Sequence, residues 1–492
     1  MKPIMKPKNL DDIYPLSPMQ RGMLFHSLLA PSSGTYFNQT VLDLEGPFDV
    51  AQFQRSWRYV IGRHALLRTG FRWEDLTEPV QIVYRDVDLP LFCHDWTGLA
   101  PDRQRECLRG LLAEDRRRSF DLRRAPLMRL AVVDLGVDAH LVVWSRHHLL
   151  LDGWSQVLVL REVFSIYEAL CREEDLTDAE EHLLPVPSSY RSYIDWLGER
   201  NYGEAERFWK DFFEGASGPT PLPTVDSPRE PGGACTNDRS EELRLSAEDT
   251  ARLTAFVRRH GLTTGTLFQA AWGLLLGHFS RAEDVLFGVT VSGRPPELPN
   301  VESMVGLFIN TLPARVRMTP RDVLLPWLCE LHRNQAALRR YDYSALVDIH
   351  GWSGMARDRP LFESLVVIGN YPVNTAGLDE STLTLRNITS YVQNSFPLTL
   401  RITPGPRLLI QVLYDSRRID ETWCRSAPAR ISSVLKWMTA HPDARLDALF
   451  AWLDGWERDR EIRRKQEARA SSVRKLNARS RSPHASDTQP AP

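Results

Sequence analysis

Apolar and polar positions along this chain switch between a helical and an alternating period. Met19, Met23, Leu24, Leu28 and Leu29 recur at helical spacing between Pro18 and Leu29. Ser17 can cap that run and Pro18 suits a first turn, so a helix is predicted there. Alternation predicts a strand over Phe37–Leu44, an amphipathic helix follows over Val50–Ile61, and a second strand over Leu67–Trp73. Arg103–Ser119 reads as a helix, and Leu127–Asp134 and Ala139–Arg146 as two strands joined by Leu135-Gly136-Val137-Asp138. The second of these strands runs into His147-His148. Gly153–Leu170 then carries Val157, Leu158, Leu160, Val163, Phe164, Ile166 and Tyr167, the broad apolar face of a buried helix. The histidine pair therefore sits between the end of a strand and the start of a helix.

Cys171–Ser189 is acidic and then proline-bearing, the composition of a linker, and Gly215–Arg239 is a second loop rich in Pro, Gly and Ser. Between them Tyr190–Phe213 reads as helical. Beyond the loop come helices near Ala247–His260 and Leu267–Phe279, strands near Val285–Val291 and Leu307–Val316, a helix near Leu324–Leu338, and strands near Leu361–Ile368 and Leu408–Tyr414. The order is mixed α and β, and the two halves are similar in size and composition without a residue-level repeat. Paired lobes are expected over 1–180 and 181–456. From Glu457 the chain is basic and then polar with Ser and Pro, so 457–492 is expected to be a helix extension followed by a disordered tail.

The chain has 492 residues, enough for a sizeable core. Its 61 Lys plus Arg against 63 Asp plus Glu give a formal charge of −2, with no basic excess for a polyanion, so nucleic acid is not an expected partner. Six cysteines lie far apart without C-x-x-C spacing, which argues against a structural metal or a disulfide framework and fits a cytoplasmic setting. No stretch approaches a membrane span, and the N-terminus lacks a secretory h-region.

Chemistry concentrates in His147-His148-Leu149-Leu150-Leu151-Asp152-Gly153. Neighbours on a strand point to opposite faces, so one histidine can face a cavity while the other is structural. A histidine near its titration point is the commonest general base, a nearby Asp can set its environment, and Gly permits a tight turn. A metal site needs more converging ligands than this pair supplies, and a satisfied core histidine is the plain alternative.

The same heptapeptide, H-H-x-x-x-D-G, resembles the signature of nonribosomal peptide synthetase condensation domains, which share a two-lobed fold with chloramphenicol acetyltransferase. Other stretches resemble that family's motifs in order: Leu16–His26, Arg63–Phe71, Tyr190–Trp196 followed by Phe208-Trp209, Val291–Pro295, Val305–Thr311, Asn370–Pro372 and, loosely, Asn394–Leu398. The resemblance runs from Ile13 to about Leu449. Heterocyclising relatives replace the histidines with an aspartate pattern and epimerising relatives continue Asp-Gly with Val-Ser-Trp, whereas this chain reads Asp152-Gly153-Trp154-Ser155, which favours bond formation.

The resemblance implies an α/β fold of two chloramphenicol acetyltransferase-like lobes in a V-shaped pseudo-dimer, with an active-site tunnel between them. It makes His148 the catalytic residue, with the backbone at Gly153 close to the reacting centre. His147 and Asp152 become supports, Asp152 pairing with an arginine of the second lobe for which Arg294 is the candidate. Trp154, Asn310 and Asn394 are possible tunnel residues, though core packing suits the tryptophans (with Trp196 and Trp209) better than substrate stacking and the amides equally suit backbone hydrogen bonds. Arg68 is expected in a structural ion pair.

Substrates would be acyl or peptidyl thioesters on the phosphopantetheine of a carrier protein, so no bound cofactor is expected, and the chain has no phosphate-binding glycine loop and no G-x-S-x-G. The acceptor would be a second carrier or a soluble amine or alcohol, the product an amide or an ester. No adenylation or carrier motif is present, so a freestanding monomer drawing on a carrier in trans is expected. The competing readings are a non-catalytic docking module and a coenzyme A-dependent acyltransferase.

Overall fold

The computed structural model describes residues 9–30, 34–176, 182, 184–225, 238–369, 383–392, 395–460, 462 and 466. The first half opens with β1 (Leu10–Pro15), α1 (Pro18–Leu29), β2 (Phe37–Glu45), α2 (Val50–Arg63), β3 (Thr69–Arg72) and β4 (Val80–Tyr84). It continues with β5 (Leu91–Asp95), α3 (Pro101–Arg117), β6 (Met128–Gly136), β7 (Ala139–His147) and α4 (Gly153–Cys171). Ser17 caps α1 in a full capping box with Gln20, whose amide also donates to the Leu149 carbonyl at 3.2 Å. The first helix is thereby tied to the loop that carries the histidines.

The expected strand from Leu67 is shorter than its apolar run, because Ala65–Arg68 form a 3-10 turn before β3. Arg68 sits inside this turn, pairs with Asp11 at 3.2 Å and donates Nε to the Ile61 carbonyl at 3.1 Å, a structural role. Strands β2, β7, β6 and β5 lie side by side in one sheet, with β5 and β6 parallel and α3 as their crossover. Helices α2 and α4 pack on one face of it, where Trp57 meets Trp144 edge-on at 4.9 Å and both are fully buried.

The second half contains α5 (Tyr190–Gly198), α6 (Tyr202–Phe213), β8 (Arg239–Arg244), α7 (Ala247–Arg259), α8 (Thr264–Ser280), β9 (Asp284–Val291) and β10 (Asn310–Arg317). Then follow α9 (Leu324–Leu338), α10 (Leu346–Trp352), β11 (Ser364–Ile368), β12 (Thr384–Val392), β13 (Leu398–Thr403), β14 (Leu409–Tyr414) and α11 (Glu421–Ala440). The single helix expected over Tyr190–Phe213 is two, because the chain breaks after Gly198 and restarts at Asn201, whose side chain caps α6. Trp209 is fully buried with Nε1 on Ser344 Oγ at 3.0 Å, and Trp196 packs against the same core, so both tryptophans are packing residues.

The second core surrounds α8, which is buried along most of its length beside the six-stranded sheet β10-β9-β11-β13-β14-β8. Strand β12 lies in the part of the chain assigned to the second lobe, yet it is the fifth strand of the first sheet, which runs β12-β2-β7-β6-β5. It pairs antiparallel with β2, from Thr384 opposite Glu45 to Val392 opposite Asn38. The two halves are thus stitched by backbone hydrogen bonds as well as side chains. A helix expected past Glu457 is present to residue 460, continuing from 446, while 467–492 lie outside the described residues. No helix among the described residues is long and apolar enough to cross a membrane.

Candidate active site

Strand β7 delivers the histidines. Its ladder with β2 sets His147 opposite Phe37, and the His148 N–H donates to the Tyr36 carbonyl at 2.8 Å, so extended pairing continues one residue past the strand. The two imidazoles therefore leave on opposite faces. Tyr36 itself has φ +67°, a left-handed conformation costly for a bulky side chain. Its hydroxyl lies between His26 Nδ1 at 3.2 Å and Ser395 Oγ at 3.4 Å.

His147 is a support. Its Nδ1 accepts the Leu149 N–H at 3.2 Å, which leaves the proton on Nε2, 3.5 Å from Ser27 Oγ. Burial, and then the neighbouring His148, push its pKa down to about 3, so the ring stays neutral. His148 differs: the residue keeps part of its surface exposed, and its buried Nδ1 has no hydrogen-bond partner. Burial lowers its pKa most and Arg146 acts in the same direction, while nearby backbone groups and Asp152 oppose them. A neutral ring is the form that accepts a proton.

Asp152 caps α4 through Oδ1, which takes the Ser155 N–H at 2.7 Å. Its Oδ2 takes the Phe308 N–H from the second half at 3.1 Å, and its own N–H donates to the Gly306 carbonyl at 3.2 Å. Arg294 Nη2 lies 3.6 Å from Asp152 Oδ1, with side-chain exposures of 5% and 1%, so the structure brings together the pair expected from sequence. The contact is completed by Ser155: its hydroxyl donates to the Gly306 carbonyl at 2.7 Å and accepts from Gly306 N–H at 3.0 Å and Arg294 Nη2 at 2.8 Å. Arg294 Nη1 also reaches the Met304 carbonyl at 3.0 Å and its guanidinium lies 4.0 Å from the Phe308 ring centroid. Burial lowers the Arg294 pKa, and Asp152 opposes that effect.

This latch requires close backbone approach. Gly293 has φ +59°, and a Cβ there would fall 1.9 Å from the Phe308 carbonyl oxygen. The latch also explains why the strand expected from Leu307 begins only at Asn310: residues 306–308 spend their backbone groups on Asp152, Ser155 and the Tyr190 hydroxyl, the last donating to the Leu307 carbonyl at 2.6 Å.

The other expected residues divide. Gly153 opens α4, next to Asp152 and in the first turn, where backbone N–H groups have no intrahelical acceptor. Trp154 is half-buried beside the latch, with Nε1 donating to the Glu302 carbonyl at 2.8 Å and its ring 5.4 Å from the Arg294 guanidinium. Asn310 is corrected as a tunnel amide. It is buried, with Nδ2 on the carbonyls of Asp342 and Ser344 at 2.7 Å each and Oδ1 taking the Thr311 N–H at 2.9 Å, so both amide hydrogens are spent on the backbone. Asn394 and Asn370–Pro372 lie outside the described residues. No group of three or more metal-ligating side chains occurs among the described residues.

Sequence reasoning gave no role to Ser155, Tyr36 or Arg146. Ser155 stands three residues past a capping aspartate, which is a usable signal; a left-handed Tyr36 leaves none. A cleft of about 790 Å³ opens on the His147 face, walled in part by Phe37, Phe120, Tyr391, Arg116 and Arg123, and His148 does not line it.

The site is thus a pair of histidines at the end of a buried strand, braced from opposite halves of the chain by a carboxylate and a guanidinium, in a mixed α/β fold. The condensation-domain family pattern matches residues 10–457, and the chain belongs to that family. It is 41% identical over 440 residues to a linear gramicidin synthase of Brevibacillus parabrevis, covering 89% of this chain and 6% of that protein. Bacitracin synthase 3 of Bacillus licheniformis is 30% identical over 442 residues, covering 89% of this chain and 7% of that protein. The chain thus spans a small fraction of the length of these relatives. In fold it is similar to a variant of the starter condensation domain of rhizomide synthetase in complex with C8-CoA, at TM-score 0.71 and 18% identity over 88% of this chain and 96% of that one. The first condensation domain of the calcium-dependent antibiotic synthetase gives TM-score 0.67 at 19% identity, covering 89% and 99%.

Proposed function

We propose that this domain transfers an acyl or peptidyl group from a thioester on the phosphopantetheine arm of a carrier protein to an amine, with His148 receiving or orienting the amine proton. The observation that carries the reading is the contrast between the two histidines. His147 borders the cleft but has Nδ1 on the Leu149 N–H and Nε2 near Ser27 Oγ, while His148, on the other face, is partly exposed with an Nδ1 that has no partner.

In this mechanism the amine attacks the thioester carbonyl, the C–N bond forms, and the C–S bond breaks as the thiol leaves. The proton lost by nitrogen passes through His148 to the departing sulfur. Positioning both reactants contributes much of the acceleration, since well-oriented groups reach effective molarities of about 10⁵ M or more. The N–H groups at the start of α4, beside Gly153, supply a dipole suited to the developing oxyanion. The latch of Asp152, Ser155 and Arg294 acts by fixing that helix start against the second half. The phosphopantetheine belongs to the carrier, and the reaction needs no other cofactor because the thioester is already activated. Residues 1–492 contain no segment resembling an adenylation or carrier domain, so the carrier comes from another chain or another part of a larger protein.

The test is intact-protein mass spectrometry of a carrier loaded with a model acyl thioester, mixed with the domain and a panel of amines and alcohols. Acceptor-dependent unloading that falls about 10²- to 10⁴-fold in His148→Ala supports the reading. Product from alcohols alone would replace the amide by an ester, and carrier binding with no unloading would favour a docking module.

A further inference from the structure

Arg146 is among the largest fully buried side chains, with 2% exposure, yet no carboxylate lies within ion-pair distance of it among the described residues. Its guanidinium is solvated by neutral dipoles only. Nη1 donates to Thr40 Oγ1 at 3.1 Å, Nη2 to Gln156 Oε1, Nε has no partner, and the plane lies 4.1 Å from the Trp144 ring centroid. Gln156 Nε2 closes the triangle on Thr40 Oγ1 at 3.3 Å. A buried cation without a counter-charge is costly, and an apolar residue of similar volume would fill the site more stably. Its position gives the charge a use. Extended pairing continues from Arg146 through His148, so residues two apart share a face, and Arg146 and His148 project to the same side of the sheet.

We propose that Arg146 is a positioning residue for the transfer reaction, an uncompensated buried cation whose field adds to burial in keeping the His148 ring in its neutral, proton-accepting form. The other charges around His148 do not cancel it. His147 turns to the opposite face and is neutral. Asp152 opposes Arg146, but its own charge is met by Arg294 from the second half. From the entry to β2, among the described residues, only the Tyr36 carbonyl is seen against His148, while the Tyr36 hydroxyl and His26 are engaged with each other and the Tyr36 ring lies toward His147. Gln156, one turn into α4, orients the guanidinium without neutralising it.

The inference rests on His148 being the proton acceptor, and its test reads the ring directly. The His148 titration is followed by NMR of histidine-labelled protein, assigned with His148→Ala, in wild type, Arg146→Met, Arg146→Lys and Gln156→Glu. Removing the charge in Arg146→Met and neutralising it in Gln156→Glu are both expected to move the midpoint to higher pH. In each, kcat/KM should fall about tenfold on the acid side while the alkaline plateau is retained, and Arg146→Lys should restore the wild-type profile. A packing role predicts none of this concordance. Unmoved midpoints in folded Arg146→Met and Gln156→Glu would overturn the proposal, and if Arg146→Met fails to fold, Gln156→Glu decides it alone. Shifted midpoints in a protein without transfer activity would sustain the field and sink the transfer reading.

Discussion

Replacing Arg294 by Met tests whether the two halves are held by a charge pair or by shape. The substitution preserves much of the stem's packing against Phe308 but removes the only cation within 4 Å of the Asp152 carboxylate among the described residues, a carboxylate that is 1% exposed. Taking one partner from a buried pair typically costs about 3–5 kcal/mol, and at these exposures little of that is screened by solvent. The Met304 carbonyl and the Ser155 hydroxyl each lose a donor as well, which keeps the expectation at the upper end. Asp152→Asn alone retains the Ser155 cap but leaves the buried Arg294 guanidinium without its counter-charge and turns an acceptor into a donor toward Phe308 N–H, so it too should cost about 3–5 kcal/mol. With both changes no buried charge is left unpaired, so the double variant should lose at least about 2 kcal/mol less than the sum of the singles. Urea unfolding followed by tryptophan fluorescence and far-ultraviolet circular dichroism gives the three differences, provided the two probes coincide. A cost below about 1 kcal/mol for Arg294→Met, or strict additivity in the double variant, would refute the charge-pair account.

The neutral state of His147 makes stability depend on pH with a definite sign. Its folded pKa of about 3 lies below the unfolded value of about 6.5, so between these pH values the folded state binds fewer protons and stability falls as pH falls from about 6.5. Up to roughly 5 kcal/mol is lost at the acid limit, and unfolding curves of His147→Gln should be correspondingly flatter from about pH 6.5 to 4, whereas parallel curves would contradict the assignment. Asn310→Ala strips two carbonyls of their donor, so it should lower stability by about 1–3 kcal/mol while leaving KM for donor and acceptor near wild type. A selective rise in KM without loss of stability would return Asn310 to a substrate-contact role.

Much of the first half was legible in the sequence because its segments carry a clear period. The helix over Pro18–Leu29 with its Ser17 cap, the alternation leading into His147 and the broad apolar face after Gly153 are all local signals, and the structure follows them within a few residues. The motif His147–Gly153 placed the chemistry at a strand-to-helix junction for the same reason, since a strand's end and a helix cap are both written in neighbouring residues.

What the sequence left open depends on contacts between distant segments. Strand β12 is mostly exposed and shows no alternation, so only its pairing with β2 reveals it. The delayed start of β10 follows from the claims of Asp152, Ser155 and Tyr190 on residues 306–308, which no local pattern announces. Asn310 looked available for a substrate until Asp342 and Ser344 occupied its amide. Chemical identity and periodicity are properties of neighbours in the chain, and they determined the type of site and the elements that carry it. Which histidine is hydrogen-bonded, which guanidinium is paired and which stands alone is decided by burial and by partners that can lie more than a hundred residues away, and these exist only once the two halves have closed on each other.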